Sequence, residues 1–104
     1  MVERGMAMAK AINSDYSEAA TSQRSKRIRL AVYAYAYEIE SDPIVDDATF
    51  DALSEEIDVS ITTGHPKMDR WYKKEFDSCT GQWIHSHPEL AGIKRIYNTV
   101  RNKR

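Results

Sequence analysis

The sequence predicts an all-α fold: a small helical domain of about four helices with a central antiparallel helical hairpin and a flexible N-terminal tail. Three observations lead there. Apolar residues recur at spacings of three and four in four separate stretches. The prolines Pro43, Pro66 and Pro88 stand between those stretches or at their starts. The chain has 104 residues, of which 41% are hydrophobic and 30% charged, enough for one modest core and too little for two.

Residues 1–21 contain Ala, Ser, Thr and Asn with weak periodicity. They read as a tail, partly disordered or carrying one frayed helical turn around residues 3–12. Residues 22–104 form the single helical domain. Ser22 offers an N-cap for a long helix reaching about Ser41. Ile28, Val32, Tyr35 and Ile39 lie on one face of it, and Leu30, Tyr33 and Tyr37 form a second stripe, so both sides are expected to be contacted. Asp42-Pro43 ends the helix, because proline disfavours helical geometry in the residue before it. Asp46 or Asp47 caps the next helix, whose apolar stripe is Phe50, Leu53 and Ile57. So short a link makes the two helices a hairpin over about residues 22–58.

A polar linker at residues 60–64 follows. His65-Pro66 then opens a helix over about 66–76 with Met68, Trp71, Tyr72 and Phe76, and His87-Pro88 opens another over about 88–102 with Leu90, Ile93, Ile96, Tyr97 and Val100. Proline suits a first helical position because its missing N–H is not needed there. Between them, residues 77–81 are turn-rich and residues 82–85 read as a short extended or irregular piece.

Net charge is −1, yet the charges are segregated. Arg24, Lys26, Arg27 and Arg29 cluster; nine acids and no base lie between Glu38 and Asp58; Lys94, Arg95, Arg101, Lys103 and Arg104 close the chain without an acid. Such blocks imply internal pairing of an acidic element with basic helices, or two partner surfaces of opposite sign. No apolar run is long enough to span a membrane, and the acids and bases of residues 1–11 do not suit a signal peptide. The single Cys79 has no internal disulfide partner, so the expected location is the cytoplasm.

The residue types that carry chemistry are sparse. Cys79, His65, His85 and His87 include one close pair, His85-x-His87, and no second Cys, which is a poor zinc pattern. No flanking signature marks Cys79 as a nucleophile, and the four glycines form no phosphate loop. No catalytic or metal residue is assigned. Trp71, Tyr72, Phe76 and Trp83 make a dense aromatic patch, read as core, with an exposed partner-binding surface at Trp71, Tyr72 and Trp83 as the alternative.

One segment resembles a known family. Tyr35-Ala36-Tyr37-Glu38, Ser41-Asp42-Pro43-Ile44-Val45 and Asp47-Ala48-Thr49-Phe50-Asp51-Ala52-Leu53 are similar to the N-terminal helical domain, Ia, of NAD-dependent DNA ligases, whose paired aromatics, Asp-x-Pro turn and Asp-Ala-Glu-Tyr-Asp-x-Leu run they follow without a gap. His87-Pro88-Glu89-Leu90 is similar to a further motif of that family, displaced downstream. The resemblance covers about residues 30–57. It implies a helical hairpin and nucleotide-binding positions at Tyr37, Asp47 and Asp51, for nicotinamide mononucleotide or NAD. Glu38 replaces the family's His and Phe50 its second Tyr, which brings a like charge towards a phosphate and removes a hydroxyl donor. The family's lysine motif, Lys-x-Asp-Gly, has its nearest counterpart in Lys67-Met68-Asp69-Arg70, without the glycine.

The expected function is therefore a non-enzymatic accessory protein of phage or prophage type, using the hairpin as a scaffold for a host or viral protein. One alternative is a nucleotide module with Tyr37, Asp47 and Asp51 at its site and Arg24, Arg27 or Arg29 on the phosphate. Another is nucleic-acid binding through the basic C-terminal helix.

Overall fold

The computed structural model describes residues 17–102, which hold four α-helices and one short 3-10 helix, with no strand among the described residues. The helices are α1 (Glu18–Glu38), α2 (Asp47–Glu55), α3 (Pro66–Glu75) and α4 (Leu90–Asn102), and the 3-10 helix (Gln82–Ser86) stands between α3 and α4. The frayed turn expected around residues 3–12 lies outside the described residues.

Helix α1 begins a turn earlier than the Ser22 reading. Ser17 is its N-cap, and the Ser17 hydroxyl accepts from the Ala20 N–H at 3.0 Å. Glu18 adds a carboxylate to the first turn, where the helix dipole favours it. Residues 18–21, expected in the tail, are therefore helical, and Ala20 is fully buried. The C-terminal end also differs. Ser41 takes φ 52°, and the Asp42 N–H reaches back to the Ala36 carbonyl at 2.8 Å. This left-handed turn closes the helix at Glu38, before Pro43 can act.

Two Gln23 bonds show that α2 runs back along α1. Near the start of α1, the Gln23 amide donates to the Glu56 carbonyl at 2.8 Å and accepts from the Asp58 N–H at 2.9 Å. At the other end, Phe50 lies beside Ala34 and Glu38 around Gly81. The hairpin is antiparallel, as expected. Asp46 caps α2, its carboxylate accepting from the Thr49 N–H at 2.9 Å.

The buried side of α1 is Ala20, Gln23, Arg27, Leu30, Ala31, Val32, Ala34, Tyr35 and Ala36. Ile28 and Tyr37, each placed on an apolar stripe by spacing, are instead 47% and 55% exposed. The alanines let α4 and the 3-10 helix approach closely. A Cβ on Gly81 would stand 3.5 Å from the Ala34 Cβ and 3.3 Å from Phe50. Leu30, Tyr35, Leu53, Trp83, Ile84, Ile93 and Tyr97 fill the core, and each fully buried aliphatic contributes about 1.5–3 kcal/mol. Residues 82–85, read as extended or irregular, form most of the 3-10 helix that inserts Trp83 and Ile84 into this core.

Helix α3 starts at Pro66 as expected. Helix α4 does not start at Pro88. His87 turns the chain instead: its Nδ1 accepts from the Glu89 N–H at 3.0 Å, and the first helical bond runs from the Ile93 N–H to the Glu89 carbonyl.

Candidate functional site

A buried polar cluster sets the linker between α2 and α3. Arg27 is 3% exposed, and its guanidinium donates to the Asp58 and Ile61 carbonyls at 2.8 Å each, to Asp69 at 2.9 Å and to Gln23 at 3.2 Å. Asp69 also accepts from the Thr63 N–H and hydroxyl at 2.9 and 2.7 Å. Burial alone would raise the Asp69 carboxyl, but the bonds from Thr63 and Arg27 outweigh it and hold it below the ordinary carboxylate range. The Arg27 guanidinium also lies 5.1 Å from the centre of the Tyr72 ring, whose hydroxyl donates to the Arg27 carbonyl. Arg24 donates to the Thr63 carbonyl at 2.6 Å. The linker thus arrives at Gly64-His65 in a fixed position, with Gly64 at φ 86°.

That position is the wall of a groove. The start of α3 and the first turns of α4 face the N-terminal half of α1 across about 870 Å³, and both His-Pro pairs line it. Its apolar lining includes Ile28, Met68, Ile93 and Ile96. Ile28 and Ile96, at 47% and 39% exposed, are two of the three large hydrophobics left exposed among the described residues. Lys67 and Arg95 also line it, exposed and in no ion pair among the described residues. His87 sits in the same wall, 8% exposed, its ring 4.9 Å from that of Trp71 and 6.3 Å from that of Tyr72. Burial pushes its imidazole down to about 4, against a smaller opposing effect of Glu89, so the ring is neutral near pH 7.

The residues implied by the ligase resemblance do come together. Tyr37, Asp47 and Asp51 line a second hollow of about 260 Å³, between the C-terminal part of α1 and the start of α2, beside Cys79 and Gly81. Glu38 lines it too, with its carboxylate 3.6 Å from His85 Nε2, and no Lys or Arg does. Such a lining repels a phosphate. Arg27, expected as a phosphate contact, is buried and committed to the linker.

The aromatic patch is core. Tyr72 and Trp83 are 2% and 5% exposed and Trp71 is half-buried, so the three do not form an open partner surface. The basic and acidic blocks pair in part, through Lys26 with Glu56 at 3.0 Å and Arg101 with Asp42. No cluster of His, Cys, Asp and Glu suited to a metal occurs among the described residues. No described helix is long and apolar enough to cross a membrane.

The groove was not predicted. Its one sequence signal is the repeated His-Pro start, whose two copies meet in one wall. Comparisons with family models, curated proteins and solved structures find no match to this chain, and nothing in them links it to the NAD-dependent DNA ligases.

Proposed function

We propose that the protein is a non-enzymatic interaction module that holds an acidic, amphipathic helix of a protein partner in the groove between α1, α3 and α4. The observation that carries this reading is the pairing of exposed Ile28 and Ile96 with Lys67 and Arg95, which form no ion pair among the described residues, around one hollow. An apolar floor with a cationic rim complements a helix that has leucines on one face and carboxylates beside them. A nucleic-acid surface is a basic patch or stripe, whereas this lining sets an apolar floor and the acid Glu89 among its cations.

The test uses a labelled helical peptide of about 16 residues with Leu at i, i+3 and i+4 spacings and Glu elsewhere, and the same peptide with Lys for Glu. Fluorescence anisotropy is expected to show saturable binding of the Glu peptide and none of the Lys peptide. Ile28→Asp, or Lys67→Glu with Arg95→Glu, is expected to weaken it about tenfold or more. Equal binding of both peptides overturns the reading. So does tighter binding of a DNA duplex that falls steeply with salt.

One observation supports the nucleotide reading: Tyr37, Asp47 and Asp51 share the second hollow. Calorimetry with nicotinamide mononucleotide and NAD decides it. Heat that disappears in Asp51→Ala supports it, and no heat at millimolar ligand rejects it.

A further inference from the structure

We infer that His87 is the specificity-determining donor of this groove, its Nε2–H hydrogen-bonding a carboxylate oxygen of the occupant. The inference rests on the groove reading above and names the group that reads the occupant's acid. Four observations carry it. The ring is more than nine-tenths buried, so few orientations are open to it. Its Nδ1 is already an acceptor, for the Glu89 N–H at 3.0 Å. In a neutral imidazole the proton then belongs on Nε2, which is a donor and nothing else. That Nε2 has no protein partner among the described residues, yet it is not one of the two buried polar side-chain atoms shut off without a bond, Ser54 Oγ and Trp71 Nε1. It therefore reaches solvent, and of the two hollows described His87 lines only the groove.

The surroundings fix the ring for this purpose. Trp71 meets it edge-on at 4.9 Å and Tyr72 at 6.3 Å, while Pro88 and the capped Glu89 N–H hold the backbone that carries it. A rigid, half-enclosed donor discriminates strongly, because an occupant that buries it without an acceptor leaves it unbonded. Lys67 and Arg95 attract any anion at longer range. His87 adds a directional bond deeper in the wall. The charged groups that share the lining with it are Glu89 beside it on the α4 entry, Arg95 on α4, His65 and Lys67 at the start of α3, and Arg24 and Arg27 on α1.

The experiment follows the side-chain nitrogens of His87 by long-range nitrogen–proton NMR in the full chain. The starting spectrum is expected to show the Nε2–H tautomer. Titration with the Leu/Glu peptide is expected to move the Nε2 resonance, and a Leu/Gln peptide is expected to move it much less and to bind about tenfold more weakly. His87→Gln places an amide N–H near Nε2 and is expected to bind within about threefold of the wild type. His87→Asn keeps an acceptor near Nδ1 but loses the distal donor, and is expected to bind about tenfold more weakly. Circular dichroism checks that both variants are folded, and the wild-type titration needs neither. If the Glu peptide binds while the Nε2 resonance stays still and His87→Asn binds normally, the donor role is overturned and the groove reading stands. If sodium acetate moves the Nε2 resonance but the peptide does not bind, the groove reading falls and His87 remains a carboxylate donor. If the peptide does not bind and neither ligand moves the resonance, both are overturned.

Discussion

Arg27 and Asp69 are the residues on which the position of the groove depends. Their ion pair at 2.9 Å is buried on both sides, and Arg27 also bonds the Asp58 and Ile61 carbonyls. Removing one partner of such a pair strands the other charge. Asp69→Ala is therefore expected to cost about 3–5 kcal/mol, a large part of the stability of a domain this size. Urea denaturation followed by circular dichroism measures it, and a loss below 1 kcal/mol would show that the pair is dispensable. Ser54 predicts the opposite sign. It is 1% exposed, and its hydroxyl has no partner among the described residues. Ser54→Ala removes a buried polar group at little loss of volume, so it is expected to stabilise by about 1 kcal/mol. A lower urea midpoint in the variant would contradict it. The burial of Arg27 and of its partner Gln23 was illegible in the sequence for one reason. Arg27 and Gln23 occupy the same helical face as Ala20, Leu30 and Ala34, and a search for apolar spacing skips polar residues and discounts alanine.

At the scale of elements, the sequence was most legible where a helix start has one chemistry and least where it has several. The α2 cap was readable to within one residue, as Asp46 or Asp47, and the α3 start at Pro66, whereas at Pro88 the His87 turn competes with the proline and delays the helix. For α1 the sequence reading took Ser22, whereas Ser17 caps the helix about a turn earlier and Ala20 is buried there. Ser17→Ala is expected to cost about 1 kcal/mol, read from the thermal midpoint, whereas Ser22→Ala is expected to be neutral within about 0.5 kcal/mol. At the other end, Ser41 holds φ 52°, where a Cβ costs about 1–2 kcal/mol. Glycine removes that cost but adds about 0.5–1 kcal/mol of chain entropy to the unfolded state. Ser41→Gly is therefore expected to stabilise the hairpin by about 0.5–1 kcal/mol, seen as a higher urea midpoint at unchanged slope. The candidate site divides in the same way. Tyr37, Asp47 and Asp51 were named together only through the ligase resemblance, and the structure places them on one hollow, whereas the groove required α3 and α4 to be placed against α1, which no local spacing encodes.

At the scale of the whole molecule, the titrating groups predict a stability maximum near neutral pH with limbs of different origin. On the acid side His87 acts first. Its folded value lies near 4 and its unfolded value near the ordinary 6.5, so between those limits the unfolded chain binds more protons. Stability then rises with pH across that window and falls as pH drops from about 6.5 towards 4. The size is on the order of 2 kcal/mol, once solvent reaching the ring through the groove is allowed for. Asp46, Asp58 and Asp69 have carboxyls held below the ordinary range, the first two by hydrogen bonds from Thr49 and Ser60 and the third by bonds that outweigh its burial. Their contribution is present above the unfolded carboxylate value of 3.8 and is lost as pH falls further. On the alkaline side, burial, with the Glu40 bond at 2.7 Å adding to it, pushes the Tyr35 hydroxyl up to about 12. Its contribution is whole below 10 and is lost as pH rises towards 12. The limbs separate by mutation. His87→Gln has no imidazole to charge, so urea midpoints measured from pH 7 to 4 are expected to lose the wild-type slope, while the fall below pH 4 is retained. A variant that keeps the full slope between 6.5 and 4 would place the acid sensitivity on groups other than His87.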